Sequence, residues 1–136
     1  MNCLDHIVVA ADNLQQGVDY LQATLGIEIP AGGRHSSMAT HNLVMQLGND
    51  AYIEVIAIDP DARAPRHPRW FSLDSADMRA AIREQPRLIT WVMNTPDLQS
   101  LAGQAGFDIG KPTSRSRDKL SWEFALPDDG RLLGDG

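Results

Sequence analysis

The chain has 136 residues, 43% of them hydrophobic, which suits a single compact domain on the usual scale of about 100 to 200 residues per domain. Twelve Lys and Arg against 18 Asp and Glu leave a net charge of −6, which repels phosphate backbones and argues against a nucleic-acid partner. No window approaches the roughly 18 consecutive apolar residues of a membrane span, and the start Met1-Asn2-Cys3-Leu4-Asp5-His6 has no basic stretch followed by an apolar one, so no membrane partner is expected and the cytoplasm is the simplest address.

The short apolar run from Leu4 to Ala10 predicts a first strand, with Leu4, His6 and Val8 on one face. Asp12 or Asn13 then caps a helix whose Leu14, Val18, Leu21 and Leu25 follow helical spacing, slightly weakened by Gly17 and stopped by Gly26. Ile27 to Ile29 predicts a second strand, and Pro30-Ala31-Gly32-Gly33 opens a loop carrying Arg34 and His35. A third strand runs from Thr40 to Leu47, and Gly48-Asn49-Asp50 turns the chain into a fourth, Tyr52 to Ile58, with Glu54 as its one charge. Asp59 to Arg69, with three prolines and no periodicity, reads as a connection docked by Trp70 and Phe71. Asp74 caps a helix with Met78, Ala81 and Ile82 inward, ending before Pro86.

The next segment repeats the first. Arg87 to Leu98 sets strand over strand and cap over cap against Cys3 to Leu14, with Thr95 as the cap, Pro96 at the first helical position, and Leu98, Leu101 and Ala102 inward. Gly106 matches Gly26, Phe107-Asp108-Ile109 matches the second strand, and Leu120 to Leu126 with its turn Pro127-Asp128-Asp129-Gly130 matches the third. The period of about 80 residues points to two halves of one domain rather than a solenoid. The expected division is a first module at 1–58, a linker and helix at 59–86, and an incomplete second module at 87–136. Beyond the last turn, Arg131-Leu132-Leu133-Gly134-Asp135-Gly136 is too polar and glycine-rich to match Tyr52 to Ile58. Either the chain continues or another chain completes the sheet, which makes a homodimer an open expectation.

Cys3 is the only cysteine, and His6, His35, His41 and His67 show no zinc-finger spacing, so any metal site must be assembled by the fold. The informative positions are polar groups inside apolar strands, whose burial costs several kcal/mol, on the order of 2 to 7, unless they are paired or metal-bound. His6 and Glu54 are such positions. Side by side, they offer nitrogen and oxygen donors suited to zinc, iron, manganese, nickel or cobalt, or else a plain hydrogen bond on the sheet. His35, His41 and Asn42 are candidates to line a pocket, as ligands or as donors to a substrate oxygen, against turn and strand-edge roles. Trp91 and Trp122 are candidates for a pocket wall or for core packing. Asp5, beside His6, points to the other face on strict alternation. No nucleophile elbow or phosphate-binding loop is present in the sequence.

Leu4-Asp5-His6-Ile7-Val8-Val9, Gly32-Gly33-Arg34-His35, Thr40-His41-Asn42 and Tyr52-Ile53-Glu54 together resemble the glyoxalase-like branch of the vicinal oxygen chelate superfamily, over essentially the whole chain. The resemblance implies an α+β fold of two paired βαβββ modules whose curved sheet encloses a cleft, with a divalent metal held from the first and last strands of each module. It puts His6 and Glu54 in ligand positions. The position matching His6 in the second module is Thr90, no strand matches that of Glu54, and Ala39 stands where the family usually has glycine. The implied chemistry is isomerase, lyase or dioxygenase action on a small substrate with neighbouring oxygens, with His41 or His35 moving a proton and Asn42 orienting. The alternative is a metal-free small-molecule binder of the same fold using Trp91 and Trp122.

Overall fold

The computed structural model describes residues 1–117 and 119–133; Gly134 to Gly136, part of the closing segment expected to be too polar for a strand, lie outside the described residues. The elements in chain order are β1 (Cys3–Ala10), α1 (Leu14–Leu25), β2 (Ala31–His35), β3 (Thr40–Leu47), β4 (Ala51–Ile58), α2 (Ala76–Glu84), β5 (Arg87–Asn94), α3 (Leu98–Gln104), β6 (Lys111–Arg117) and β7 (Leu120–Leu126). The fold is α+β, with β1 to β4 and α1 forming one βαβββ module and β5, α3, β6 and β7 following the same order in the second. No helix is long and apolar enough to cross a membrane among the described residues.

Five strands form one curved sheet in the order β2-β3-β4-β1-β5, and β6 pairs with β7 in a separate hairpin. In the first module β4 lies between β1, to which it is parallel, and β3, to which it is antiparallel. The equivalent slot, between β5 and β7, holds no strand among the described residues. β4 is apolar almost throughout because both of its faces are covered. Ile53 and Val55 join Val9, Leu43 and Leu21 of α1 in one core layer, while Ile56 joins Val8, Ala10, Leu73, Ile82 and Ile89 in the other. Gly17 marks where α1 rests on β4, since a Cβ there would fall 2.3 Å from Val55 Cγ1. It is a contact position as well as a weak helix former.

The second strand of each module lies four residues later than the apolar triplets suggest. Ile27 and Ile29 pack into the core layer under α1 and do not pair; pairing with β3 begins at Ala31 and continues through Arg34 and His35. Phe107 to Ile109 likewise precedes β6. The caps shift by a residue or two as well. Asn13 Oδ1 accepts the Gln16 N–H at 2.9 Å, and Gly26 closes α1 at φ 66° as its position suggested. Ser75, not Asp74, caps α2 through the Met78 N–H, because the Asp74 carboxylate is taken by the backbone N–H and guanidinium of Arg69. Asp97, not Thr95, caps α3 through the Ser100 N–H, so Pro96 precedes the cap, and the helix ends at Ala105 in extended conformation without using Gly106.

Two backbone features hold the linker in place. Phe71 and Ser72 both adopt left-handed φ, at 57° and 55°, and the turn after β7 fastens onto them. The Ser72 N–H donates to the Gly130 carbonyl at 2.8 Å, the Leu132 N–H donates to Ser72 Oγ at 3.0 Å, and a Cβ on Gly130 would lie 1.9 Å from the Arg69 carbonyl oxygen. Only glycine fits there. At the entry to β3, Ala39 is held at φ 49°, which gives a physical reason for the glycine that the family resemblance implies at that position.

Candidate functional site

The polar centre of the fold sits on the sheet face opposite α1. Parallel pairing sets His6 against Tyr52 and Val8 against Glu54, so alternation turns His6 and Glu54 to the same face, two residues apart along adjacent strands. His6 Nε2 lies 3.4 Å from Glu54 Oε2, and the two residues are only 9% and 5% exposed. The Tyr52 ring stacks on His6 with centroids 4.4 Å apart.

Each partner is anchored from behind. His6 Nδ1 is 2.6 Å from Asp5 Oδ2, and a carboxylate can only accept, so Nδ1 carries the proton and Nε2 is turned toward Glu54. Asp5 reaches its own neighbour because the β1–β5 register slips between Leu4 and His6; a bulged residue leaves strict alternation and its side chain is re-aimed. Glu54 Oε1 accepts from Asn42 Nδ2 at 2.7 Å, and Asn42 Oδ1 accepts the Gly33 N–H at 2.8 Å. Gly32 and Gly33 together oppose Asn42 in a second register shift, and a Cβ on Gly32 would stand 2.5 Å from the Asn42 carbonyl oxygen. His35 completes the group, with Nδ1 3.0 Å from Thr40 Oγ1 and Nε2 3.9 Å from Glu54 Oε1, its ring edge-on to Trp70 at 5.0 Å.

Burial alone would lower the His6 pKa, but the hydrogen bonds and charges of Glu54 and Asp5 outweigh it and hold the imidazole above its ordinary 6.5. Burial would likewise raise Glu54, yet hydrogen bonds from His6 and Asn42 and the charges of His6 and His35 hold it below its ordinary 4.5. Each group therefore favours the charged form of the other.

Residues 4–136 match the glyoxalase-like domain family. The chain belongs to that family. Among solved structures, methylmalonyl-CoA epimerase from Mycobacterium tuberculosis is similar at TM-score 0.50 and 15% identity, over 74% of this chain and 60% of that one. A Streptomyces coelicolor methylmalonyl-CoA epimerase variant in complex with 2-nitronate-propionyl-CoA is similar at TM-score 0.50 and 17% identity, over 74% of this chain and 65% of that one. The glyoxalase-like chain thus spans three fifths to just under two thirds of the length of these epimerase chains. No curated protein matches it in sequence.

The donor chemistry of this glyoxalase-like site fits a divalent metal. An imidazole nitrogen and a carboxylate oxygen converge, and the imidazole is held from behind by a carboxylate, the outer-sphere arrangement that fixes metal-binding histidines. The number of donors is smaller than a closed site needs, for no group of three or more His, Cys, Asp or Glu with metal-site geometry occurs among the described residues. Thr90 pairs with Val8 and adds no such group.

The remaining sequence candidates are divided by the sheet. His35 and Asn42 stand with His6 and Glu54. His41 pairs with Ala57 and Arg34 and so faces the α1 side, where its Nε2 is buried without a hydrogen-bond partner among the described residues. Trp91 pairs with Ile7, on that same side, and is 59% exposed. Trp122 shares a face of β7 with Phe124, whose ring is 6.2 Å from Trp70, and therefore turns toward the linker that borders the site. Sequence reasoning missed Asp5, Tyr52, Thr40 and Trp70 as parts of this group. Tyr52 and Thr40 carried a usable signal, since each shares strand parity with a candidate already chosen; Asp5 carried none, because a bulge moved it.

Proposed function

We propose that this domain is an enzyme of the glyoxalase-like type, with isomerase, lyase or dioxygenase chemistry on a small molecule that carries two neighbouring oxygens, and that His6 and Glu54 hold a divalent metal. The observation that carries the reading is the buried His6–Glu54 pair at 3.4 Å, backed by Asp5 and Asn42. A bound divalent ion would supply Lewis-acid polarisation of a substrate oxygen. The chain's own residues would do the rest. Asp5 fixes the His6 tautomer, Asn42 keeps one Glu54 oxygen occupied so that the other is presented to the site, and His35 Nε2 takes and returns the substrate proton. His35 is preferred to His41 for that role because His35 shares the face of Glu54.

The test is elemental analysis of protein purified without an affinity metal column, as isolated and after dialysis against zinc, iron, manganese, nickel and cobalt salts. His6→Ala and Glu54→Ala should lose bound metal while retaining their circular dichroism, and His67→Ala, at an exposed linker position, should keep it. Metal-loaded protein would then be screened against diketones, hydroxy-ketones, catechols and, given the epimerase fold neighbours, acyl-CoA thioesters.

A metal-free small-molecule binder is the second reading. It is favoured by the donor count and by the way His6, Glu54, Asp5 and Asn42 already satisfy one another. Protein that takes up no metal under any of those conditions would select it.

A further inference from the structure

The β6–β7 hairpin brings to the polar centre a feature that the His6–Glu54 chemistry does not use. Register pairs Arg115 with Trp122 and Thr113 with Phe124, so these four share one face of the hairpin. That face meets the linker, where the Phe124 ring is 6.2 Å from Trp70 and the Trp70 ring is 5.0 Å from His35. The Arg115 guanidinium lies over the Phe124 ring, 5.0 Å from its centroid. A continuous strip therefore runs from a polar end at Glu54 and His35, across two aromatic rings, to a cation.

Arg115 is also short of an acid. Among the described residues its one hydrogen bond is from Nη1 to the neighbouring Ser114 carbonyl at 3.0 Å, and no described carboxylate pairs with it. Arg34, Arg69, Arg83, Arg87 and Arg131 each pair with an Asp or Glu; among the described residues Arg63, Arg66 and Arg79 do not, but only Arg115 has its guanidinium over an aromatic ring. The adjacent acid on the hairpin, Glu123, turns to the other face, where it meets Ser114 Oγ at 3.5 Å. In a chain with 18 acidic residues, a half-buried guanidinium stacked on a ring and left without a carboxylate is built to receive one. Stacking removes a guanidinium from water at little cost while leaving its planar fork of donors to bind an anion two-pronged, which an ammonium cannot do.

We propose that Arg115 is the specificity-determining residue of the His6–Glu54 site, and that the small molecule bound there carries an anionic group, carboxylate or phosphate, beyond an aromatic or apolar middle that lies against Trp70 and Phe124. The proposal rests on the proposed function only in assigning the molecule's other end to His6 and Glu54.

Isothermal titration of the full chain with 2-naphthoate, 2-naphthyl phosphate and neutral 2-naphthamide tests it. At least one of the anions should bind about tenfold more tightly than the amide, the better of the two identifying the anion class. Arg115→Gln should bring all three to within about twofold of one another, and Arg115→Lys should keep part of the preference, since charge without the fork remains. No preference in the unmodified chain, no binding at all, or a preference that survives Arg115→Gln would overturn the proposal. Metal uptake, measured on the same samples, separates the two ideas. An Arg115-dependent anion preference without metal sinks only the metal-enzyme reading, and metal uptake without the preference sinks only this one.

Discussion

The two modules follow one sequence pattern and reach different degrees of burial. α1 buries Gly17 and Leu21 against β4, whereas α3 buries none of its residues. β4 is buried from Ile53 to Ala57, whereas β7 is exposed from Leu120 to Glu123 and carries Trp122 at 44% exposure. The difference lies in the slot. A helix and a hairpin with the right periodicity close into a packed layer only when a central strand lies between them, and in the second module the described residues supply none. Amphipathic pattern is thus necessary for each element, but the fully covered strand is what converts pattern into core.

That contrast can be broken by matched substitutions. Leu21→Ala should cost about 2 to 5 kcal/mol in chemical denaturation, as a fully buried leucine that leaves a cavity. Leu101→Ala, at a half-buried place in α3, should cost less than about 1.5 kcal/mol. Equal losses would mean that the modules are packed alike. Glycines give the sharper version, because the sign changes. Gly17→Ala should destabilise by about 1 to 3 kcal/mol through collision with Val55, overriding a helix-propensity gain of about 1 kcal/mol. Gly103→Ala, whose new methyl meets nothing within 4 Å, should keep that gain and stabilise by about 0.5 to 1 kcal/mol.

The smallest perturbation is of pH, and its alkaline limb isolates the first module. The acid limb is shared with Asp108 and Asp129, which hydrogen bonds from the Gly110 and Arg131 backbone N–H groups and pairing with the Arg131 side chain hold below the ordinary carboxylate range. The raised His6 contributes stability that is complete below its ordinary 6.5 and lost as pH climbs through its folded value. The lowered Glu54 contributes stability that is complete above its ordinary 4.5 and lost as pH falls through its folded value. Denaturation midpoints should therefore be highest between about pH 4.5 and 6.5 and decline on both sides. His6→Gln should flatten the alkaline limb, and a limb that persists in that variant would place the titration elsewhere.

Much of this was legible in residue order. Alternation found β1, β3 and β4 and put His6 and Glu54 on one face once those strands were taken as neighbours. The same rule succeeds and fails within a few residues. Applied to His41 and Asn42 it separates them to opposite faces, as the register does; applied to Asp5 it dismisses a residue that a bulge brings back to His6. Ile27 to Ile29 misled because a short apolar triplet is equally suited to pairing and to packing beneath a helix. The caps misled because Asp74-Ser75 and Thr95-Pro96-Asp97 each offer two capping side chains, and the choice was made by Arg69 in one case and by helix register in the other.

The fastening of the Gly130 turn to Ser72 has a dynamic consequence. The Ser72 amide is held by the hairpin's turn, and the Leu132 amide is held by the Ser72 hydroxyl, so two bonds of opposite direction tie the linker to the turn. Trp70, which touches both His35 and Phe124, lies two residues before that knot. In hydrogen exchange, the Ser72 and Leu132 amides belong to one cooperative opening whose free energy they share. Such an opening would free Trp70 and the hairpin together, so protection of the Ser72 and Leu132 amides should follow the second module rather than the better-packed first.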